Sequence, residues 1–123
     1  MAIEHEQTTV FGNALYAAYL TGKAGSTFAL LRFHDGVITG LDAGEGCYDG
    51  EYKLGPDQQN IVGTITVSMP AGMPTITGVT SAERPLEFDV PFALPVNLDP
   101  DAVYRMETPT GPVNVKFKKK RGA

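Results

Sequence analysis

An all-β fold, a single small antiparallel barrel of about eight strands, is what this chain predicts, and three features of the sequence lead there. Runs of about five to eight residues rich in Val, Ile, Thr, Tyr and Phe recur along it, separated by clusters of Gly, Pro, Asp and Asn. No window sustains the apolar repeat of an amphipathic helix. Successive runs, Ile38-Thr39-Gly40-Leu41-Asp42, Tyr48-Asp49-Gly50-Glu51-Tyr52, Ile61-Val62-Gly63-Thr64-Ile65 and Ile76-Thr77-Gly78-Val79-Thr80, each carry a central glycine. Glycine weakens a strand interior, so its recurrence points to deliberate bends, the device that rolls a sheet into a closed barrel. A β-sandwich with Greek-key crossings accommodates the same strand count but has less need of serial bends.

The elements follow in chain order. Residues 1–12 hold Glu4, His5, Glu6 and Gln7 rather than a basic segment followed by an apolar one, so they are expected to be flexible and not to act as a secretion signal. Strands are expected at 14–21 and 27–34, joined by Thr21-Gly22-Lys23-Ala24-Gly25, and at 37–42 after the turn His34-Asp35-Gly36. Further strands are placed at 47–54 and 61–68, linked by Gly55-Pro56-Asp57-Gln58, then at 75–80, 86–92, 102–107 and 113–118. Those nine candidates imply eight barrel strands and one spare. Met69-Pro70-Ala71-Gly72-Met73-Pro74 and the proline-punctuated stretch 92–100 read as longer connections, and Thr108-Pro109-Thr110-Gly111-Pro112 as the last hairpin turn. The whole chain, 1–123, reads as one barrel domain, with 119–123 a second flexible end.

Alternate side chains of a strand point to opposite faces of the sheet, which assigns the interior. Ile38, Tyr48, Tyr52, Ile61, Ile65, Ile76 and Phe88 are expected to line it, with the bend glycines beside them on the same face. The first two strands behave differently, because Leu15, Ala17 and Tyr19 alternate with Tyr16, Ala18 and Leu20, and Phe28 and Leu30 with Ala29 and Leu31. Both faces there are apolar. An apolar outer face asks for a cover, and either a second copy of the chain or the N-terminal residues would supply it. The expectation is a homodimer through the first two strands.

With the preceding strand and the His34-Asp35-Gly36 turn, the sequence Ile38-Thr39-Gly40-Leu41-Asp42, then Tyr48-Asp49-Gly50-Glu51-Tyr52 and the alternating strand from Ile61, resembles the GrlR-like family of negative regulators of type III secretion. The resemblance covers about residues 14–68. It implies a calycin-like barrel with an apolar interior, often dimeric, that sequesters a transcriptional activator through an acidic surface loop and does not itself touch DNA. The corresponding loop here, residues 54–59, holds Asp57 where the family carries an acidic run. Asp42, Glu45, Asp49 and Glu51, with no basic residue between positions 42 and 52, form a substitute acidic surface that with Asp57 would meet a basic protein partner. The other expected role is that of a carrier, since an eight-stranded barrel is just wide enough for one small apolar ligand or lipid.

Chemistry beyond binding finds little foothold in the residues. The formal charge is −4, and five of the ten basic residues crowd positions 116–121, leaving an acidic body that repels phosphate, so no direct nucleic-acid contact is expected. The single Cys47 stands on the face of Asp49 and Glu51, and no serine lies in a nucleophile elbow, so no enzyme is expected. Asp42-Ala43-Gly44-Glu45-Gly46 lacks the spacing of a calcium loop, and His5 and His34 form no cluster with Cys47, so neither a metal nor a cofactor is expected. The longest apolar runs are too short for a membrane helix, and a cytoplasmic location follows by default.

Overall fold

A computed structural model of the chain describes residues 13–79 and 83–122. Eight strands form among them, β1 (Ala14–Gly22), β2 (Gly25–His34), β3 (Val37–Asp42), β4 (Cys47–Leu54), β5 (Asn60–Met69), β6 (Leu86–Pro95), β7 (Tyr104–Thr108) and β8 (Gly111–Gly122). They make one antiparallel sheet in the order β6-β5-β4-β3-β2-β1-β8-β7. The two outermost strands, β6 and β7, come back into contact without a backbone ladder between them, so the sheet is nearly closed into a barrel. No helix forms among the described residues, and none is long and apolar enough to cross a membrane.

Turn chemistry sets the register. Asp35 and Gly36, at φ 51° and 82°, make the two-residue connection that matches the right-handed twist of its strands and pairs His34 with Val37. The Asn13 side chain braces it by accepting the Asp35 N–H at 2.9 Å. Gly22 pairs with Gly25, and Thr108 with Gly111, across equally short links. At the loop before β5, the Asp57 carboxylate accepts the N–H groups of Gln59 and Asn60 at 2.9 and 3.1 Å and the Asn60 side-chain amide at 2.7 Å. Asp57 is therefore occupied in closing its own loop.

Gly40, Gly50 and Gly63 share the inner face with Ile38, Tyr48, Ile61 and Ile65, as their parity requires. Tyr48 is opposite Gly40 and Tyr52 opposite Gly63, so each ring has a partner without a side chain. A methyl group at Gly63 would run into the Glu51 carbonyl oxygen, and one at Gly50 into that of Thr64. The adjacent backbone is thus as close as a bend needs it to be.

The segment 75–80 departs from expectation. Its described part, residues 75–79, is a turn and not a strand: Thr75 N–H donates to the Val79 carbonyl at 3.1 Å, and the Thr75 hydroxyl accepts Val79 N–H at 3.1 Å. Gly78, at φ +95°, supplies the positive dihedral this turn requires and is not an inner-face bend. Strand β6 runs further than expected, to Pro95, because it has a ladder on one side only, and an edge tolerates Pro91 and Pro95 where a central strand would not. Strand β8 also continues past residue 118, through Lys119 and Lys120 to Gly122, and pairs with β1 across a bulge at Leu15 and Tyr16. Residues 119–122 are therefore part of the wall. Residues 1–12, with the expected flexibility, His5 and any N-terminal cover, lie outside the described residues.

Candidate functional site

The interior divides into two unlike halves. Toward the end that holds the β2–β3 turn, inner-facing Phe33 and Ile38 are fully buried, and aromatic rings fill the space edge to face. Tyr16 meets Phe33 at 5.6 Å between centroids and Phe117 at 6.2 Å, and Phe33 meets Tyr52 at 5.2 Å. Val96 and Leu98, from the connection between β6 and β7, pack against the core as well.

Toward the other end the layers thin out. Ala18 of β1 and Ala29 of β2 are register partners on the inner face, so two methyl groups stand where the neighbouring layer carries Tyr16 and Leu31. A cavity of about 240 Å³ opens beside them. Leu31, Ile65, Val67, Val90, Val113 and Val115 form its walls, and Phe117 separates it from the packed half. Residues 74–77, from the connection after β5, line it at the end that holds the β1–β2 and β7–β8 turns. Ala24 N–H donates to the Ile76 carbonyl at 2.7 Å, and buried Thr77 gives its hydroxyl to Thr110 at 3.0 Å, tying that segment to two hairpins. Phe88 and Val90 of β6 and Met106 and Thr108 of β7 also line the cavity, so the seam without a ladder runs along it.

Among the lining residues described, one is charged, and that is Asp42. It alternates in β3 with Ile38 and Gly40 and so shares their inward face. One carboxylate oxygen accepts the N–H groups of Gly44 and Gly46 at 2.9 and 2.7 Å; the other accepts the Tyr48 hydroxyl at 2.6 Å. Burial holds the Tyr48 phenol protonated to well above its ordinary range, and the hydrogen bond and charge of Asp42 add to the effect. The 42–46 turn is thus built around one carboxylate at the rim of an apolar space.

The structure accordingly separates the residues expected to act together. Glu45, Asp49 and Glu51 are exposed on the outer side of the β3–β4 region, whereas Asp42 is turned to the inside, and Asp57 lies at the opposite end of the barrel. The acidic surface is therefore shorter than the sequence pattern suggested. The expected interior residues do face inward: Ile38, Tyr48, Ile61 and Ile65 are buried, and Tyr52, Ile76 and Phe88 pack against them. Tyr48, Ile65, Ile76 and Phe88 line the cavity, while Ile38, Tyr52 and Ile61 belong to the filled half. Sequence reasoning missed Asp42 as a lining residue, although its two-residue spacing from Gly40 and Ile38 carried the signal. Among the described residues, no three His, Cys, Asp or Glu side chains converge as metal ligands.

Comparison of the chain with protein-family models, with curated proteins and with solved structures yields no match.

Proposed function

We propose that the barrel is a binding module that holds one small apolar molecule in the hollow half of its interior. The carrying observation is the contrast between the two halves, one filled by aromatic rings and the other left open beside a segment hydrogen-bonded in place at its end. A fold needing only stability gains from filling such a space, because unfilled volume forfeits dispersion contacts. An apolar cavity of somewhat smaller size is known to take up benzene, so about 240 Å³ suits an occupant of about ten non-hydrogen atoms. Uptake of a hydrophobic fluorophore, and its displacement by small apolar compounds, tests this reading. Ala29→Phe, which places a ring where the Ala18 and Ala29 methyls now leave room, should abolish uptake with the fold retained; unchanged uptake would place the fluorophore elsewhere and defeat the proposal.

A second reading concerns the protein partner, and a specific surface favours a second copy of this chain. Tyr19, Phe28, Leu30 and Leu41 are 43%, 46%, 46% and 63% exposed on the outer face of three adjoining strands, with Tyr19 and Phe28 stacked at 6.2 Å. Lys116 and Lys118 of β8 flank this face beside Tyr19 and Ala17; Asp49 and Glu51 of β4 flank it beside Thr39 and Val37. A twofold axis in the interface, parallel to β2, turns the basic edge of one copy toward the acidic edge of the other, with Lys118 two residues along the strands from the level of Asp49. An axis across the strands would oppose lysine to lysine. The acidic file read from the sequence as a partner surface thus has its complement on the same molecule. Sequestration of a transcriptional activator is supported by the strand motif alone.

A further inference from the structure

The cavity's one charged lining group determines which apolar molecules suit it, an inference that rests on the ligand-binding reading above. We infer that the preferred ligand is a compact amphiphile with a cationic nitrogen head, a primary amine or amidinium on an apolar body, seated with its head at Asp42. Asp42 accepts three hydrogen bonds, all from neutral donors, namely the N–H groups of Gly44 and Gly46 and the Tyr48 hydroxyl. No Lys, Arg or His nitrogen among the described residues lies within ion-pair distance of it. A carboxylate has room for about four hydrogen bonds, so an acceptor position remains, and none of its three donors carries a charge. The rest of the lining offers no second charge, and a cation bearing its own N–H donors is the complement of a carboxylate with an acceptor position to spare.

The same charge selects against the ligand most often expected of an apolar barrel. A fatty acid's carboxylate at this rim would meet Asp42 head-on, and turning the head to the opposite side offers it the linked hydroxyls of Thr75, Thr77 and Thr110, which already bond to one another at 2.9 and 3.0 Å. Tyr48 has a defined part in this arrangement. By donating to Asp42 it holds the carboxylate toward the β4 side, so removing the phenol oxygen frees an acceptor without removing the charge.

The test compares octylamine, octanol and octanoate, alike in tail and different in head, by calorimetry on the full-length protein. Octylamine should bind at least about tenfold tighter than octanoate, as expected for a charge-assisted hydrogen bond. Asp42→Asn, which keeps an acceptor for Gly44 and Gly46, should erase that preference and leave octanol unchanged, with a thermal melt to show that the variant is folded. Should that variant fail to fold, Tyr48→Phe provides the second measurement: octylamine should bind as tightly or more tightly, and loss of its preference would overturn the assignment. Equal binding of all three would sink the head-group inference while leaving the cavity a ligand site. Failure of all three to bind, with no fluorophore uptake, would overturn both.

Discussion

At Gly63 a hydrogen atom stands where any side chain would collide with the Glu51 carbonyl, and Tyr52 lies directly opposite. Gly63→Ala therefore forces two backbone segments apart, and the expected loss is about 1–3 kcal/mol, as for other overpacked sites, measurable by urea denaturation. Tyr16 provides a pH signature at the same scale. Burial, with a smaller contribution from Tyr52, raises its phenol from 10.0 to about 12. The folded protein thus holds this proton more tightly than the unfolded chain, so the associated stability is complete below pH 10 and is lost as pH rises through about 12. Denaturant melts across that interval should show stability falling with pH, and Tyr16→Phe should flatten the fall. Asp57 has the opposite sign. Hydrogen bonds from Gln59 and Asn60 lower its carboxyl from 3.8, so what it contributes is present above that value and disappears as pH falls through the lowered one. Its carboxyl resonance in an NMR titration should move at a pH below the ordinary aspartate range.

Among elements, β6 and β7 differ from the rest because each has a ladder on one side only. β7 is also the shortest strand, with five residues. Its amides that face β6 should exchange with solvent faster than those of β1 and β2, which are paired on both sides; equal protection would mean that the seam is sealed. Element placement was largely legible because period-two alternation and turn residues are local signals. The Asp35-Gly36 connection and the inward set Ile38, Gly40, Tyr48 and Gly50 follow from them directly. The segment with Gly78 was not legible, since a glycine flanked by β-branched residues suits an inner bend or a tight turn equally well, and the choice fell to the Thr75 hydroxyl and the positive φ it stabilises. Extension of β6 through Pro91 and Pro95 was hidden for a related reason: a proline is compatible with a strand only at an edge, and being at an edge is a property of the assembled sheet.

For the whole molecule, the arrangement of charge around the apolar outer face leads to a mixing experiment. The double variant Lys116→Glu/Lys118→Glu and the double variant Asp49→Lys/Glu51→Lys should each be monomeric alone, and an equimolar mixture should form a heterodimer by sedimentation velocity. A monomeric unmodified chain would mean that something other than a second copy covers Tyr19, Phe28, Leu30 and Leu41. Two dimeric variants that ignore the reversal would place the interface elsewhere.

Alternation, glycine spacing and turn composition pointed to antiparallel strands and to most of the side chains that face inward, because each is set by backbone geometry within a few residues; closure into a barrel rather than a sandwich was decided by the assembled sheet. Where the interior is full and where it is hollow depended on residues far apart in the chain. Ala18 meets Ala29 across one hairpin, while Tyr16, Phe33, Tyr52 and Phe117 converge from four strands. The placement of Asp42 was decided in the same way: its inward direction is a matter of parity, but standing at the rim of an apolar space, with neutral hydrogen-bond donors, required the wall around it.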